Sequence, residues 1–354
     1  MRAPSPAVPG GARPGHPFAR YAARRILTSL LLMVGVTFVT FALTNLVPGD
    51  PVAAALGQRA ADDPATVARF TQEYGLDKPL PQQYVTYVGN LLHGDLGVST
   101  TTHNSVTSDL REALPATIEI AFGAIVLSVI IGVTLGTIAA YRRGRTADHV
   151  LRLVSLAGLS VPTFWLALVA YYVLYFKMHL APSSGRLSAD FNAPPQVTGL
   201  YTVDSLLAGQ LDTFLDAAWH LMLPVLVLTL YTVGLLTRFV RTAVLEVLDQ
   251  DYVRAARAKG LPTRTIVTSY VLRGASIPVL TVVGLAFGSL LSGTVLVESV
   301  FSWPGIGSYA YQAASHLDLP GVMGVGLTIG LIYLLVNLAV DLLYGFLDPR
   351  VRLA

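Results

Sequence analysis

Residues 251–262 read DYVRAARAKGLP, with three cationic side chains, Arg254, Arg257 and Lys259, set among the small residues Ala255, Ala256 and Ala258. Guanidinium and ammonium groups in this pattern donate charge-assisted hydrogen bonds, and the alanines let a second surface come close. The chemistry is recognition rather than bond-making. Asp251 is placed to cap a helix, Tyr252 to Lys259 supply about two turns, Gly260 suits the left-handed position after them, and Pro262 stops continuation. Two turns are marginal in water alone, so something must hold them. Two holders stay open at this point: a cleft on another protein, or a layer of anionic lipid headgroups.

Residues that would make or break bonds are missing elsewhere. A phosphate-binding loop of the form GxxxxGK[ST] needs a lysine after a glycine, and Lys78, Lys177 and Lys259 each follow another residue. Neither G-x-S-x-G nor H-E-x-x-H occurs, so the common hydrolase patterns are absent. The seven histidines, His16, His93, His103, His149, His179, His220 and His316, include no pair at metal-ligand spacing. His220, beside Trp219, reads as an interfacial anchor. With no cysteine, disulfides, thiolate metal sites and cysteine nucleophiles are excluded.

The elements that must position the basic dodecamer are membrane spans. The chain has 354 residues, of which 53% are hydrophobic and 13% charged, with a mean hydropathy of +0.59, against roughly 25% charged residues in soluble domains. A span needs about 20 apolar residues to cross a hydrocarbon core about 30 Å thick. Six charge-free windows are long enough: Ile26 to Leu46, Ile120 to Tyr141, Leu153 to Phe176, Ala217 to Thr237, Gly274 to Val297 and Leu319 to Val340. The fold class expected is an all-α integral membrane protein with six transmembrane helices, since a β-barrel would show alternating segments of about ten residues. Nothing in the sequence calls for a nucleic-acid partner.

Lysine and arginine fall unevenly between these windows. With the N-terminus inside, 18 of the 24 basic residues face the cytoplasm and six face outward, which sets both termini cytoplasmic. Residues 1–19, rich in Pro, Gly and Ala, read as a disordered cytoplasmic tail. The first external loop carries Tyr84, Tyr87, Val88 and Leu91 at helical spacing after Pro81, which predicts a short amphipathic helix packed on the bundle or offered to a partner. The segment between SSGR, Ser183 to Arg186, and the fourth window reads as loop.

Several stretches resemble one family. RAARAKG followed by VLRGASIPVLT is similar to the cytoplasmic "EAA" loop of ATP-binding-cassette importer permeases. RRILTSLLLMVGVTFVTFALTNLVPGDP, YGLDKPLPQQY, HGDLGVS, LPATIEIAF, SLAGLSVPTFWLALV, LAPSSGR, ESVFSWPGIG and LVNLAVDLLYGFLDPRVR resemble the B-type subunit of the oligopeptide, dipeptide and nickel branch, from about Arg20 to the C-terminus. The resemblance implies a type I importer permease in the bacterial plasma membrane. It would divide into a first span and external loop (20–112), a permease core (113–345) with its coupling loop at about 251–278, and a cytoplasmic tail (346–354). It further implies ATPase-coupling roles for Tyr252, Arg254, Ala255, Ala256, Arg257, Lys259 and Gly260. Arg254 stands at the family's acidic position, and Ala255, Ala256 and Gly260 stand at its alanine and glycine positions. The chain departs from the branch at Gly274 and Ser276, where Asn and Leu are usual. Implied partners are a second homologous permease, two ATP-binding subunits or domains carrying ATP and magnesium, an external solute-binding protein and membrane lipid. No cofactor is implied in this chain.

Under that reading the substrate pathway candidates are the polar or helix-bending residues near the spans. Glu119 and Glu298, at the expected outer ends of the second and fifth spans, would meet a peptide's positive terminus or simply end a helix. Asn337 reads as glue between helices or as a substrate contact. Pro278 and Pro224 would each free a carbonyl and bend a helix, which suits a gate and equally suits static packing. Dipeptide, oligopeptide, glutathione and nickel cargo are not distinguished. The competing class, a self-sufficient secondary transporter or channel, would want ionisable groups deep in the spans, and the six windows contain no Asp, Glu, Lys or Arg.

Overall fold

Apolar windows longer than a bilayer is thick can satisfy their backbone polar groups as helices, and the computed structural model, which describes residues 17–46, 62–74 and 77–347, is built of helices joined by irregular segments, with no named strand among the described residues. Helix α1 spans Pro17–Leu46, followed by the outer helices α2, Pro64–Tyr74, and α3, Leu80–Leu92. Helix α4 runs Val106–Tyr141 and α5 Thr146–Ser160, while α6, Thr163–Ala170, continues as a π-helical segment, Tyr171–Lys177. After α7, Tyr201–Leu207, come α8, Leu211–Leu248, and the short α9, Asp251–Ala258. A turn at Thr263–Thr265 and a second π-helical segment, Ile266–Val271, lead into α10, Leu272–Gly293. The chain then forms α11, Val295–Val300, α12, Ile306–Ser315, and α13, Leu319–Leu347.

Among the described residues five helices are long and apolar enough to cross a membrane; the third expected span is corrected. Its window is broken between Ser160 and Thr163, where Val161 is extended (φ −89°, ψ 125°). Pro162 explains the break, because its ring excludes the preceding residue from helical geometry and it lacks an N–H. The fifth span also ends early, at Gly293, and Thr294 starts a separate short helix. The N-terminal helix begins at Pro17, inside the stretch expected to be a tail, whereas residues 1–16 and 348–354 lie outside the described residues.

Helices α4 and α8 form the centre. Their approach depends on missing side chains: a Cβ on Gly132 would stand 2.7 Å from the Cβ of Leu236, and one on Gly136 would stand 2.9 Å from the backbone oxygen of Thr237. A large cluster around Ile120, Ala124, Leu223, Val227 and Trp303 fills one end of this pair, and a second, around Val240, Val244, Val253, Ala256 and Val271, fills the other. Helix α1 sits at the edge, against α13 and α3. The expected amphipathic helix is present as α3 with Pro81 near its start. Tyr84 bonds the Thr37 hydroxyl at 2.9 Å and packs edge-on against Phe38 and Phe41 of α1. Its tyrosine face is therefore used for packing on the bundle. Helix α2, begun by Asp63 accepting from the Thr66 hydroxyl at 2.5 Å, was not foreseen.

Candidate coupling surface and outer cap

Helix α9 is held by its own chain. Val253 and Ala256 are buried, packed with Ala140 from α4, Val244 and Val247 from α8, and Ile266, Val271 and Ala275 at the base of α10. These two side chains recur three apart, on one face, and supply the anchorage that two turns of helix need. Asp251, Tyr252, Arg254, Ala255, Arg257, Ala258, Lys259 and Gly260 are exposed. Ala256, assigned by resemblance to the docking set, faces inward, so it cannot touch a cleft on another protein. The cap is also corrected. Gln250 takes the extended N-cap backbone (ψ 147°) and Asp251 is the first helical residue, paired with Arg254 one turn on. Gly260 takes the left-handed conformation expected of it (φ +73°). Arg257 lies beside the Tyr141 hydroxyl at the end of α4. The surface left outward is short, cationic and rigidly based.

A second polar centre binds α4 to α5 and α8 near the same end. Asp148, fully buried, accepts from Arg241 Nε at 2.7 Å and Nη2 at 2.9 Å and from the Gly144 N–H at 3.0 Å. The Arg241 hydrogen bond holds its carboxyl down at about 2.

At the opposite end, loops close into a cap in which four carboxylates, Glu119, Asp204, Glu298 and Asp318, are consumed by donors of the chain itself. Glu119 lies 13 residues inside α4, so it does not end a helix. It accepts from Arg186 Nη2 at 2.8 Å and from the Thr202 N–H and hydroxyl at 2.8 and 2.6 Å. Arg186 in turn stacks 3.5 Å over the ring of Tyr201 and faces Trp303 at 5.8 Å. Glu298 is completely buried and accepts from the hydroxyls of Thr117 at 2.7 Å and Thr294 at 2.8 Å and from the Ser308 N–H at 2.9 Å. Burial pushes its carboxyl above the ordinary range, against the pull of those donors. Asp204 accepts from the backbone N–H groups of Val197, Thr198 and Gly199. Burial raises its carboxyl, but these bonds outweigh it and hold the group below the ordinary range. Asp318 takes the Ser99 hydroxyl and the Thr100 and Gly321 N–H groups, fixing HGDLGVS to the start of α13. A carboxylate so ringed by donors is structural. Beside Arg186 lies an open hollow of about 400 Å³, lined by Ser188, Phe191, Tyr201, Ser302 and Pro304 among others.

Glu119 and Glu298 are thus unavailable to a solute in this arrangement. His220 is likewise no interfacial anchor: it is buried, with Nδ1 2.9 Å from the Asp216 carbonyl, because α8 begins nine residues before it. Asn337 donates to the Tyr333 carbonyl of its own helix at 2.8 Å rather than to a neighbouring helix. Pro224 is buried in α8, whereas Pro278 is exposed on α10. Sequence reasoning missed Arg186. Its signal was that it is the one lysine or arginine between Lys177 and Arg238, in an outer segment that carries Asp190, Asp204, Asp212 and Asp216.

The chain is similar to a "Probable D,D-dipeptide transport system permease protein DdpB" of Escherichia coli (strain K12), 45% identical over 91% of this chain and 94% of that protein. A "Di/tripeptide transport system permease protein DppB" of Pseudomonas aeruginosa (strain UCBPP-PA14) is 44% identical over 94% of this chain and 98% of its own length. A "Dipeptide transport system permease protein DppB" of Escherichia coli (strain K12) is 38% identical over 93% and 97%. Among solved structures, a chain of the inward-facing MetNI methionine ABC transporter aligns at a TM-score of 0.49 with 17% identity, covering 66% of this chain and 93% of that one. Residues 18–121 match the family described as "Binding-prot-dependent transport system membrane comp, N-term", and residues 132–353 match "Binding-protein-dependent transport system inner membrane component". The chain therefore belongs to the inner-membrane components of binding-protein-dependent transport systems, multi-pass permease subunits of ABC importers that are not themselves enzymes and work with separate ATPase and substrate-binding subunits.

Proposed function

We propose that this permease carries small peptides, di- and tripeptides in the first place, across the plasma membrane by alternating access. The cargo reading is supported by the printed names of relatives 38–45% identical over almost the whole chain. One observation carries the mechanism: α9 turns Val253 and Ala256 into its own spans and presents Arg254, Ala255, Arg257, Ala258 and Lys259 outward. That is the arrangement of a docking surface that must move with the spans it is rooted in. ATP-binding subunits carrying ATP and magnesium seat on that surface, a second related permease completes the pathway, and an external binding protein delivers the peptide to the cap. Nucleotide favours one of two states of the assembly, and the cavity changes sides accordingly.

The pathway runs along α10 in this reading. Pro278, Thr281, Leu285, Ser289 and Ser292 are exposed at spacings of three and four, forming one face. The hydroxyls of Ser289 and Ser292, exposed on this face among the described residues, suit a water-filled cavity between two permeases better than lipid. Nickel and glutathione remain the alternative cargoes for the same machinery. Reconstitution of the full complex in proteoliposomes decides both points. ATP-dependent accumulation of labelled dipeptide that requires every subunit is expected, and uptake by this chain alone would make it a secondary transporter instead.

A further inference from the structure

Tyr252 sits on the exposed side of α9, and its hydroxyl reaches across to the exposed Gly274 of α10. It lies 2.5 Å from the point where a Cβ on Gly274 would stand, and the two methyls of Val247 lie 3.0 and 3.3 Å from the same point. Gly274 therefore leaves a notch at the base of α10, and the phenol fills it with Val247 of α8 closing one side. Meanwhile Val253 and Ala256 bear on Ile266, Val271 and Ala275. The short helix thus bears on the π-helical segment itself, at Ile266 and Val271, and just beyond it, at Gly274 and Ala275. A π-helical stretch is rare and recurs where helices are functionally remodelled.

We infer that Tyr252 is the positioning residue that carries displacement of α9 into α10, by setting its phenol in the Gly274 notch just beyond the π-helical segment. The inference rests on the reading of α9 as the coupling element and deepens it. Val253 and Ala256 hold α9 to the spans, and Tyr252 gives the push its direction. Any side chain at position 274 would lever the phenol out, which accounts for a glycine at a helical position of ordinary φ, where no turn requires one.

The test uses the complete complex in nanodiscs, with ATP hydrolysis measured with and without peptide-loaded binding protein. Thermal unfolding and co-purification of the ATPase subunits are followed in parallel. Gly274→Ala is expected to lower the stimulation by loaded binding protein roughly fivefold or more, the scale of a lost coupling interaction, while the ATPase subunits still co-purify. Adding Tyr252→Phe, which removes the oxygen that the new methyl meets, should restore most of it. A merely structural site would not show that restoration in stimulation with assembly unchanged. Should Gly274→Ala fail to assemble, Tyr252→Leu empties the notch without overpacking and is expected to lose stimulation while Tyr252→Phe keeps it. Full stimulation in an assembled Gly274→Ala or Tyr252→Leu complex overturns the inference, as does a double variant no better than Gly274→Ala alone. Absence of stimulation in the unmodified complex, by contrast, would overturn the coupling reading itself.

Discussion

At the residue scale, Asp148 carries the most definite electrostatic consequence. Its carboxyl is held at about 2 by Arg241, below the roughly 3.9 of a free aspartate. A folded-state pKa below the unfolded one means the stabilisation is fully present above the ordinary carboxylate range and is lost as pH falls from about 4 toward 2. Asp148→Asn keeps the shape but halves the acceptor set facing Arg241. It should destabilise the detergent-solubilised protein at neutral pH by about 1.5–3 kcal/mol, the worth of hydrogen bonds to a charged group, and flatten the acid limb of its melting profile. An unchanged melting temperature across pH would refute the assignment. The residues that charge-free windows exposed to suspicion, Glu119, Glu298 and His220, were visible in the sequence, but their roles were not. A window marks where lipid forbids charge, whereas α4 and α8 continue well past it, so a residue at a window's edge can be deep in a helix. The two carboxylates take key partners far away in sequence, Arg186 for Glu119 and Thr117 for Glu298. No local pattern announces such pairs.

At the element scale, punctuation was the legible part. Pro81, Gly260 and Pro262 marked real boundaries, and the VPT at residues 161–163 marked one that the apolar window concealed, since a count of charges is blind to a proline. The inward face of α9 was harder to read. Alanines at 255, 256 and 258 look alike in sequence, and only the burial of Val253 shows which of them shares its face. Close contact between α4 and α8 was invisible for the same reason: a glycine in a span reads equally as lipid-facing or as interfacial. Gly136→Ala tests that contact. Its methyl would meet a backbone oxygen 2.9 Å away, which cannot step aside as a side chain would, so a loss of about 1–3 kcal/mol is expected, read as a lower melting temperature. Gly326→Ala, with nothing within 4 Å of the added carbon, serves as the control and should leave the temperature unchanged.

For the whole molecule, the 18 to six distribution of basic residues predicts that α9 lies in the cytoplasm and the carboxylate cap lies outside. The chain has no native cysteine, so Arg257→Cys should resist an impermeant thiol reagent in intact cells and react once they are opened. Labelling from outside would invert the topology. The broken third span has a further consequence, and it falls on the lipid. From Thr163 to Lys177 there are 15 residues, at most about 22 Å of helix against a hydrocarbon core of about 30 Å. The shortfall is a hydrophobic mismatch, and it is met from the other side of Pro162, where Leu153, Val154 and Leu156 of α5 remain exposed. The apolar depth at this flank is therefore supplied in two jointed pieces, Thr163–Lys177 and the exposed apolar face of α5, while the overlong α4 and α8 run beside them. Membrane thickness thus acts on the two flanks of the protein unequally: a thinner bilayer suits the jointed span, and a thicker one pulls its two pieces toward a single line.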